Sequence, residues 1–550
     1  INRYFSGKKK FSFSLIIILS LLFTALFASL LGTQSRGPAL GAFFAILIFI
    51  AYGAAFLRGL IRRSPSGIKG FYASNRHMIN TFLIIIGASL IVLSALGATD
   101  KGKASIERLS SSVADIPGSL KQSRLHIWIP ALKMIKEHPF VGTGTDTFKA
   151  VFPRYEGIEF AQIDGVNVSS RTAHNELLHI PATMGIISLG LYLLLIFSYI
   201  LLWKKSFSKL DNFTDKILSL GIFAGFTAYF IQNLFSFGVA AINTIFYLFM
   251  AMHVFEYMES KKTKIYRFLI PVRKTHTKYL LYAAAAALTV FFAYKAHSVL
   301  TADKHYNRGT LLGALHNRWD LAVLEHEKAV KLAPNEVKYR VYLGLAFERY
   351  ALSSEKGPAH QKELIEKAAL NYTRGVELNP LNAYYWGNLG RVHTLLAQLS
   401  REYKYYEKAV DFYKKAIQMA PVTGLFYNNL LEAYARMGLI KEAESLLEKV
   451  EAYDRKLAAT SAFILGNGYF NLYGSSGDSA HLLKSSELYK KSISINPDFI
   501  QGIFNYGVTA ASLGDTFNAA ASMEKVLSLD PEFDNRNEAI RIINDMKQAR

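Results

Sequence analysis

The chain has 550 residues, 51% of them hydrophobic, no cysteine and a formal net charge of +21. Without cysteine there is no disulfide framework, thiol nucleophile or thiolate metal site, and the length allows two or three domains. The basic excess does not indicate nucleic acid. Much of it lies in short stretches between apolar runs, a placement that belongs to membrane topology.

Residues 1–298 hold nearly all the long apolar runs, and the remainder is rich in Tyr, Lys and Glu. Seven segments are long and apolar enough to cross a hydrocarbon core as helices: about 12–32, 38–57, 80–97, 181–203, 217–237, 240–257 and 279–298. Basic clusters fix their direction. Lys8–Lys10 precede the first run, Arg58 to Arg76 follow the second, Lys204 to Lys216 follow the fourth, and Lys261 to Lys278 follow the sixth. All four fall on one side, predicted to be cytoplasmic. The short loop 33–37, the long loop 98–180 and everything after 298 are then extracytoplasmic. The chain begins at Ile1 with no signal peptide ahead of the first run. It therefore reads as a fragment or processed form, with an even number of spans missing upstream if the original amino terminus was cytoplasmic.

The loop 98–180 opens on a polar stretch and continues as "SRLHIWIPALKMIKEHPFVGTGTDTF". Ile127, Ala131, Met134 and Ile135 recur at helical spacing, as do Leu125, Trp128 and Leu132. Their pattern predicts a short amphipathic helix lying on the membrane face. "HPFVGTG" ends it in a turn that brings backbone close to a neighbour; as a phosphate signal the Gly-x-Gly alone is weak. Next, "RTAHNELLHIPATMGI" (171–186) gathers Arg171, His174, Asn175, Glu176 and His179 at the start of an apolar run. Pro181 is predicted to interrupt the hydrogen-bond ladder there, leaving a short polar helix outside the membrane. His174 and His179 are about 140° apart around a helix, so no metal site is expected. Glu176 and His179 share a face as an ordinary surface pair. Asn175 would either bond backbone or hold His174.

After residue 300 the sequence repeats. "YYWGNLGRVH" (384–393) and "YEKAVDFYKKAIQMAP" (406–421) carry Trp386, Leu389, Gly390, Ala409, Tyr413, Ala416 and Pro421. This order resembles the tetratricopeptide (TPR) repeat, with further copies around 341–380 and 505–531. Prolines 334, 380, 421, 497 and 531 keep a period of about 34 residues once polar inserts are allowed for. The expectation is an all-α chain: a polytopic transmembrane helix bundle over 1–298, then about six TPR helix pairs over 299–550 stacked as a right-handed α-solenoid. Such an array offers a surface for a protein, peptide or glycan. Tyr384 and Tyr385 read as packing residues before they read as a glycan groove.

The ordered elements "SRLHIWIPALKMIKEHPFVGTGTDTF" and "RTAHNELLHIPATMGIISLGLYLLL", preceded by "TQSRGPALG" (33–41), resemble the core of the O-antigen ligase and polymerase superfamily over about residues 20–257. That resemblance implies a membrane glycosyltransferase that moves an undecaprenyl-pyrophosphate-linked glycan onto an acceptor hydroxyl on a glycan, lipid or protein. The site would be the outer face of the bacterial cytoplasmic membrane, and neither metal nor cofactor would be needed. His174 matches the family's essential histidine, as a base for the attacking hydroxyl. Arg36, Arg124 and Arg171 would bind the donor pyrophosphate, being permanently charged and bidentate. Asn175 and His138 would support them. Two other classes fit less well: a membrane-anchored TPR scaffold for envelope assembly without catalysis, and a transporter, which the scarcity of ionisable residues in the spans disfavours.

Overall fold

The computed structural model describes residues 36–63, 124–160, 168–210, 213–260 and 275–548, with scattered positions between 18 and 103. The predicted spans at 12–32 and 80–97, and the basic stretch after residue 260, lie outside this set or largely so. Everything described is helix or connection. By contacts the chain divides into two units: 1–149 with 170–268, and 150–169 with 269–550.

In the first unit, α1 (Arg36–Arg63), α2 (Leu125–Glu137), α3 (Glu176–Phe207), α4 (Phe213–Asn233) and α5 (Ala240–Ser260) pack together. α1 lies along α4, and the approach is close at Gly41, where any side chain would strike the Ala228 carbonyl. α3, α4 and α5 share an aromatic core of Tyr199, Trp203, Phe223, Phe226, Tyr229 and Phe246. In it Trp203 stacks on Phe223 with centroids 3.6 Å apart. Buried polar groups stitch the same helices: Tyr199 Oη lies 2.7 Å from His253 Nδ1, and Ser219 Oγ 3.1 Å from His253 Nε2. In an apolar surround such groups persist only when paired with one another.

Among the described residues three helices are long and apolar enough to cross a membrane, with candidate spans Gly37–Ala55, Glu176–Phe207 and His276–Ala314. The chain is an integral membrane protein. The last of these belongs to α6 (Thr275–Ala314), 40 residues without a break. Its first half exposes apolar side chains such as Leu280, Phe291 and Phe292, and its second half enters the repeat core through Ala302, Tyr306 and Leu312. One helix is therefore both apolar span and first repeat element.

The second unit continues as α7 (Trp319–Leu332), α8 (Val337–Ser353), α9 (Pro358–Leu378), α10 (Ala383–Ser400), α11 (Tyr403–Met419), α12 (Gly424–Arg436), α13 (Ile440–Tyr453), α14 (Arg455–Ser476), α15 (Ser479–Ile495), α16 (Ile500–Ser512), α17 (Thr516–Leu529) and α18 (Arg536–Gln548). Neighbours pair as α6–α7, α8–α9, α10–α11, α12–α13, α14–α15 and α16–α17, with α18 against α17. One device recurs: a glycine on the first helix makes room for a ring or long side chain from the second. A methyl at Gly344 would sit 2.9 Å from the Tyr372 ring, at Gly390 2.5 Å from Tyr413, and at Gly466 2.7 Å from Tyr489. Between repeats, Glu348 is 2% exposed and pairs with Arg391 at 2.7 Å, while the Tyr372 hydroxyl donates to it at 3.0 Å. The consensus residues Leu389, Ala409, Tyr413 and Ala416 are all buried.

The glycine rule is testable. Gly390→Val forces the Tyr413 ring to move, and overpacking of this kind costs ~1–3 kcal/mol. Amide exchange in α10 and α11 should quicken by roughly tenfold or more. Gly474→Ala, on α14 where a methyl meets only open space, should leave exchange unchanged or slower. Equal effects from the two variants would contradict the packing account.

Candidate functional site

The site grows from a break in α3. Gly185 has φ +82° and ψ 167° inside this helix, a conformation open in practice only to glycine. An unbroken helix would bond the Ile186 amide to the Ala182 carbonyl and the next amide to Thr183. Here the Ile186 N–H donates instead to Pro139 O at 2.7 Å, and the two freed carbonyls accept Thr143 N–H at 3.0 Å and Gly144 N–H at 2.8 Å. The turn 139–144 thus completes the broken ladder. Gly142 and Gly144 permit it with φ of +66° and +114°, and Thr143 Oγ1 adds a bond to Ala182 O at 3.2 Å. These amides are already committed to carbonyls, so the Gly-x-Gly is a docking turn and not a phosphate cradle. Pro181 stays inside regular helix, and the expected interruption there falls instead at Gly185.

α2 is the predicted helix with a different partner. Its buried face of Ile127, Pro130, Ala131 and Met134 packs on α3, while Ile129 and Leu132 are exposed. The turn and α2 together cover the start of α3. Consequently His179 and Glu176 are half-buried, not on the helix surface as expected. Phe148 lies 5.3 Å from the His179 ring, whose Nδ1 is buried with no hydrogen-bond partner among the described residues.

His174 sits just before this helix with φ +51°, a conformation rare for a residue with a side chain and found disproportionately at working sites. Both neighbours are fixed. Trp128 Nε1 donates to Ala173 O at 3.0 Å, and the Asn175 side chain caps α3 by accepting Leu177 N–H at 3.0 Å. Asn175 therefore bonds backbone. The His174 ring meets Phe237 edge to face at 5.4 Å, and the Arg124 guanidinium lies 6.0 Å from the centre of the Phe235 ring. Phe235 and Phe237 belong to the short linker 234–239 between α4 and α5. Gly37 packs on the same place: a methyl there would lie 3.5 Å from Gln232 O and 3.6 Å from the Phe235 Cβ. The amino terminus of α1, Arg124 and His174 thus converge on residues 232–238. Among the described residues no group of three or more His, Asp or Glu is placed to hold a metal ion.

Residues 21–193 match the family model described as O-antigen ligase, and residues 385–423 and 500–533 match the tetratricopeptide repeat model. The chain carries an O-antigen ligase domain followed by TPR repeats. No curated protein matches it in sequence. Among solved structures, PilW, a widely conserved type IV pilus biogenesis factor, is 15% identical over 44% of this chain and 98% of its own, with a TM-score of 0.35. PilF of Pseudomonas aeruginosa is 16% identical over 44% and 97%, TM-score 0.33. A thermophilic TPR protein of Thermus thermophilus is 19% identical over 38% and 99%, TM-score 0.30. Ligase-family membership implies a glycosyltransferase-type enzyme acting on lipid-linked glycans.

Within the ligase domain the predicted residues divide. Arg124 and His174 are brought to one linker, and Arg36 is the first residue of α1, its side chain outside the described part of the structure. Arg171 is exposed before the helix, and His138 is exposed at the end of α2, where its carbonyl accepts Gly142 N–H at 3.1 Å. Sequence reasoning did not single out Phe235, Phe237 or Gly185. "LFSFG" between two apolar runs was the available signal for the first two.

Gly185→Ala would press its methyl into the Phe140 carbonyl and demand a φ that alanine avoids. The expected result is undocking of the turn, seen as ~10-fold or faster proteolysis within 136–149, since that strain is ~1–3 kcal/mol. Gly190→Ala, on the same helix in open space, should change nothing. A Gly185→Ala protein as resistant as the parent would contradict the docking.

Proposed function

We propose that the ligase domain transfers or polymerises an undecaprenyl-pyrophosphate-linked glycan onto an acceptor hydroxyl at the outer face of the cytoplasmic membrane. The observation that carries this reading is the meeting of Arg124, His174 and the start of α1 on one linker. It assembles the two kinds of group the chemistry needs. The acceptor oxygen attacks the anomeric carbon from the side opposite the pyrophosphate, and its proton passes to the neutral imidazole of His174. The bond from that carbon to the phosphate oxygen breaks, and its electron pair leaves with the pyrophosphate. Charge grows on that leaving group, and Arg124 and Arg36 meet it with permanently protonated forks. The amino terminus of the 28-residue α1 adds its dipole to the same end.

Phe235 and Phe237 give the site its shape. They meet the guanidinium and the imidazole by ring contact. Arg171 and His138, both exposed, have roles at the edge, guiding the anionic donor. In this reading the array stands on the outer side with His174, and the acceptor decides between ligase and polymerase.

His174→Ala should lower transfer by ~10²–10⁴-fold, the usual contribution of a positioned base, with membrane insertion intact. Arg124→Lys, which keeps the charge and loses the fork, should fall between His174→Ala and the parent. Lipid-linked glycan lengths read the reaction directly: accumulated full-length donor marks a ligase, accumulated single units a polymerase. Unchanged surface polysaccharide in the His174→Ala strain would refute the assignment.

A further inference from the structure

The stretch 150–160 lies in sequence between the docking turn and His174, yet by its contacts it groups with the repeats. Its residues "AVFPRYEGIEF" form a helical turn through Val151, a 3-10 turn over Phe152–Arg154, and a further turn at 158–160. Val151, Phe152, Pro153, Tyr155 and Phe160 are all buried, Phe152 completely. Phe152 and Phe160 pack edge to face at 4.9 Å. Eleven residues are too few to bury five large apolar side chains among themselves, so another element must cover them. The 3-10 turn lies against α11. Glu156 lies within electrostatic reach of Tyr384, the second residue of α10, whose hydroxyl is pushed up to about 12 by burial and then by this carboxylate. Arg154 and Glu159 remain exposed.

TPR arrays ordinarily hold short peptides through a few anchor side chains on paired helices. Here an aromatic peptide with two acidic residues, Glu156 and Glu159, lies against one helix of such a pair, and it comes from the same chain. We propose that the ligand of this array is the chain's own segment Ala150–Phe160, seated on α11 and the Tyr384 end of α10, and that this seating braces the ligase loop between the docking turn and His174. Glu156 fits the seat as a buried group: burial pushes its carboxyl up to about 8, and its Oε2 has no hydrogen-bond partner among the described residues. The carboxyl is therefore held largely uncharged among apolar neighbours near neutral pH.

α6 enters the array as a continuous helix, and the loop is held by side chains. The consequence for catalysis rests on the proposed glycan transfer; the seating does not. A positioned site loses activity steeply when its support shifts, by up to ~100-fold for about 1 Å.

The absence of natural cysteine makes the test clean. Glu156→Cys with Tyr384→Cys, in the full-length protein in membranes, should close a disulfide on mild oxidation. It is read as the loss of two maleimide-polyethylene-glycol gel shifts, restored by reductant. Glu156→Cys with Arg541→Cys, on the last helix, is the control and should retain both shifts. Equal crosslinking in the two pairs, or none in the first, overturns the seating. The oxidised Glu156–Tyr384 pair should transfer glycan within about twofold of its reduced form, while Phe152→Ser should lower transfer ~10-fold. A locked protein that is inactive beside an active Phe152→Ser variant overturns the bracing role. If the parent itself transfers no glycan, the proposed function fails and the crosslink still decides the seating.

Discussion

The ligase domain depends on one exchange of backbone hydrogen bonds. A helix that stops bonding to itself at Gly185 releases two carbonyls and two amides, and inside an apolar environment each left without a partner would cost several kcal/mol. The turn 139–144 supplies partners for both carbonyls and for the Ile186 amide. Through that exchange α2 is laid on α3, Trp128 reaches the Ala173 carbonyl, and the residues on either side of His174 are immobilised. The site is therefore held from below by main chain, and its side chains are placed by neighbours that cannot relax independently.

How much of this was legible in the sequence follows from what kind of signal each element leaves. The repeat helices announce themselves because small and aromatic residues recur with a period, and the same residues, Gly390 with Tyr413 and Gly344 with Tyr372, are the ones in contact. The apolar run at 279–298 falls within one long helix for the same reason of composition, and the run at 181–203 within a helix broken at Gly185. α2 was predicted from its spacing, but spacing cannot say whether an apolar stripe meets lipid or protein, and here it meets α3. The break at Gly185 was hidden by a nearer and louder feature, Pro181. Pro181 is accommodated inside the helix, whereas the positive φ at Gly185 exists only because the turn comes from elsewhere in the chain. His179 and Glu176 were misplaced for the same reason: their cover is tertiary.

The convergence on 232–238 could not be read locally. Arg124 and His174 are 50 positions apart, and Phe235 is more distant from both, so only the packing of α1, α2 and α3 around the end of α4 joins them. The family match ends at residue 193, short of this linker. The proposed chemistry thus draws its charged groups from inside the matched region and its apolar walls from outside it.

The central claim is the backbone exchange at Gly185, and hydrogen–deuterium exchange at two amides tests it most directly. In the intact protein the Gly144 and Ile186 amides should exchange at least ~100-fold slower than an unstructured chain, as expected for bonds broken only when the turn opens. Exchange of both at the unstructured rate would mean that the turn is not docked on the broken helix, and the account of how His174 is positioned would fall with it.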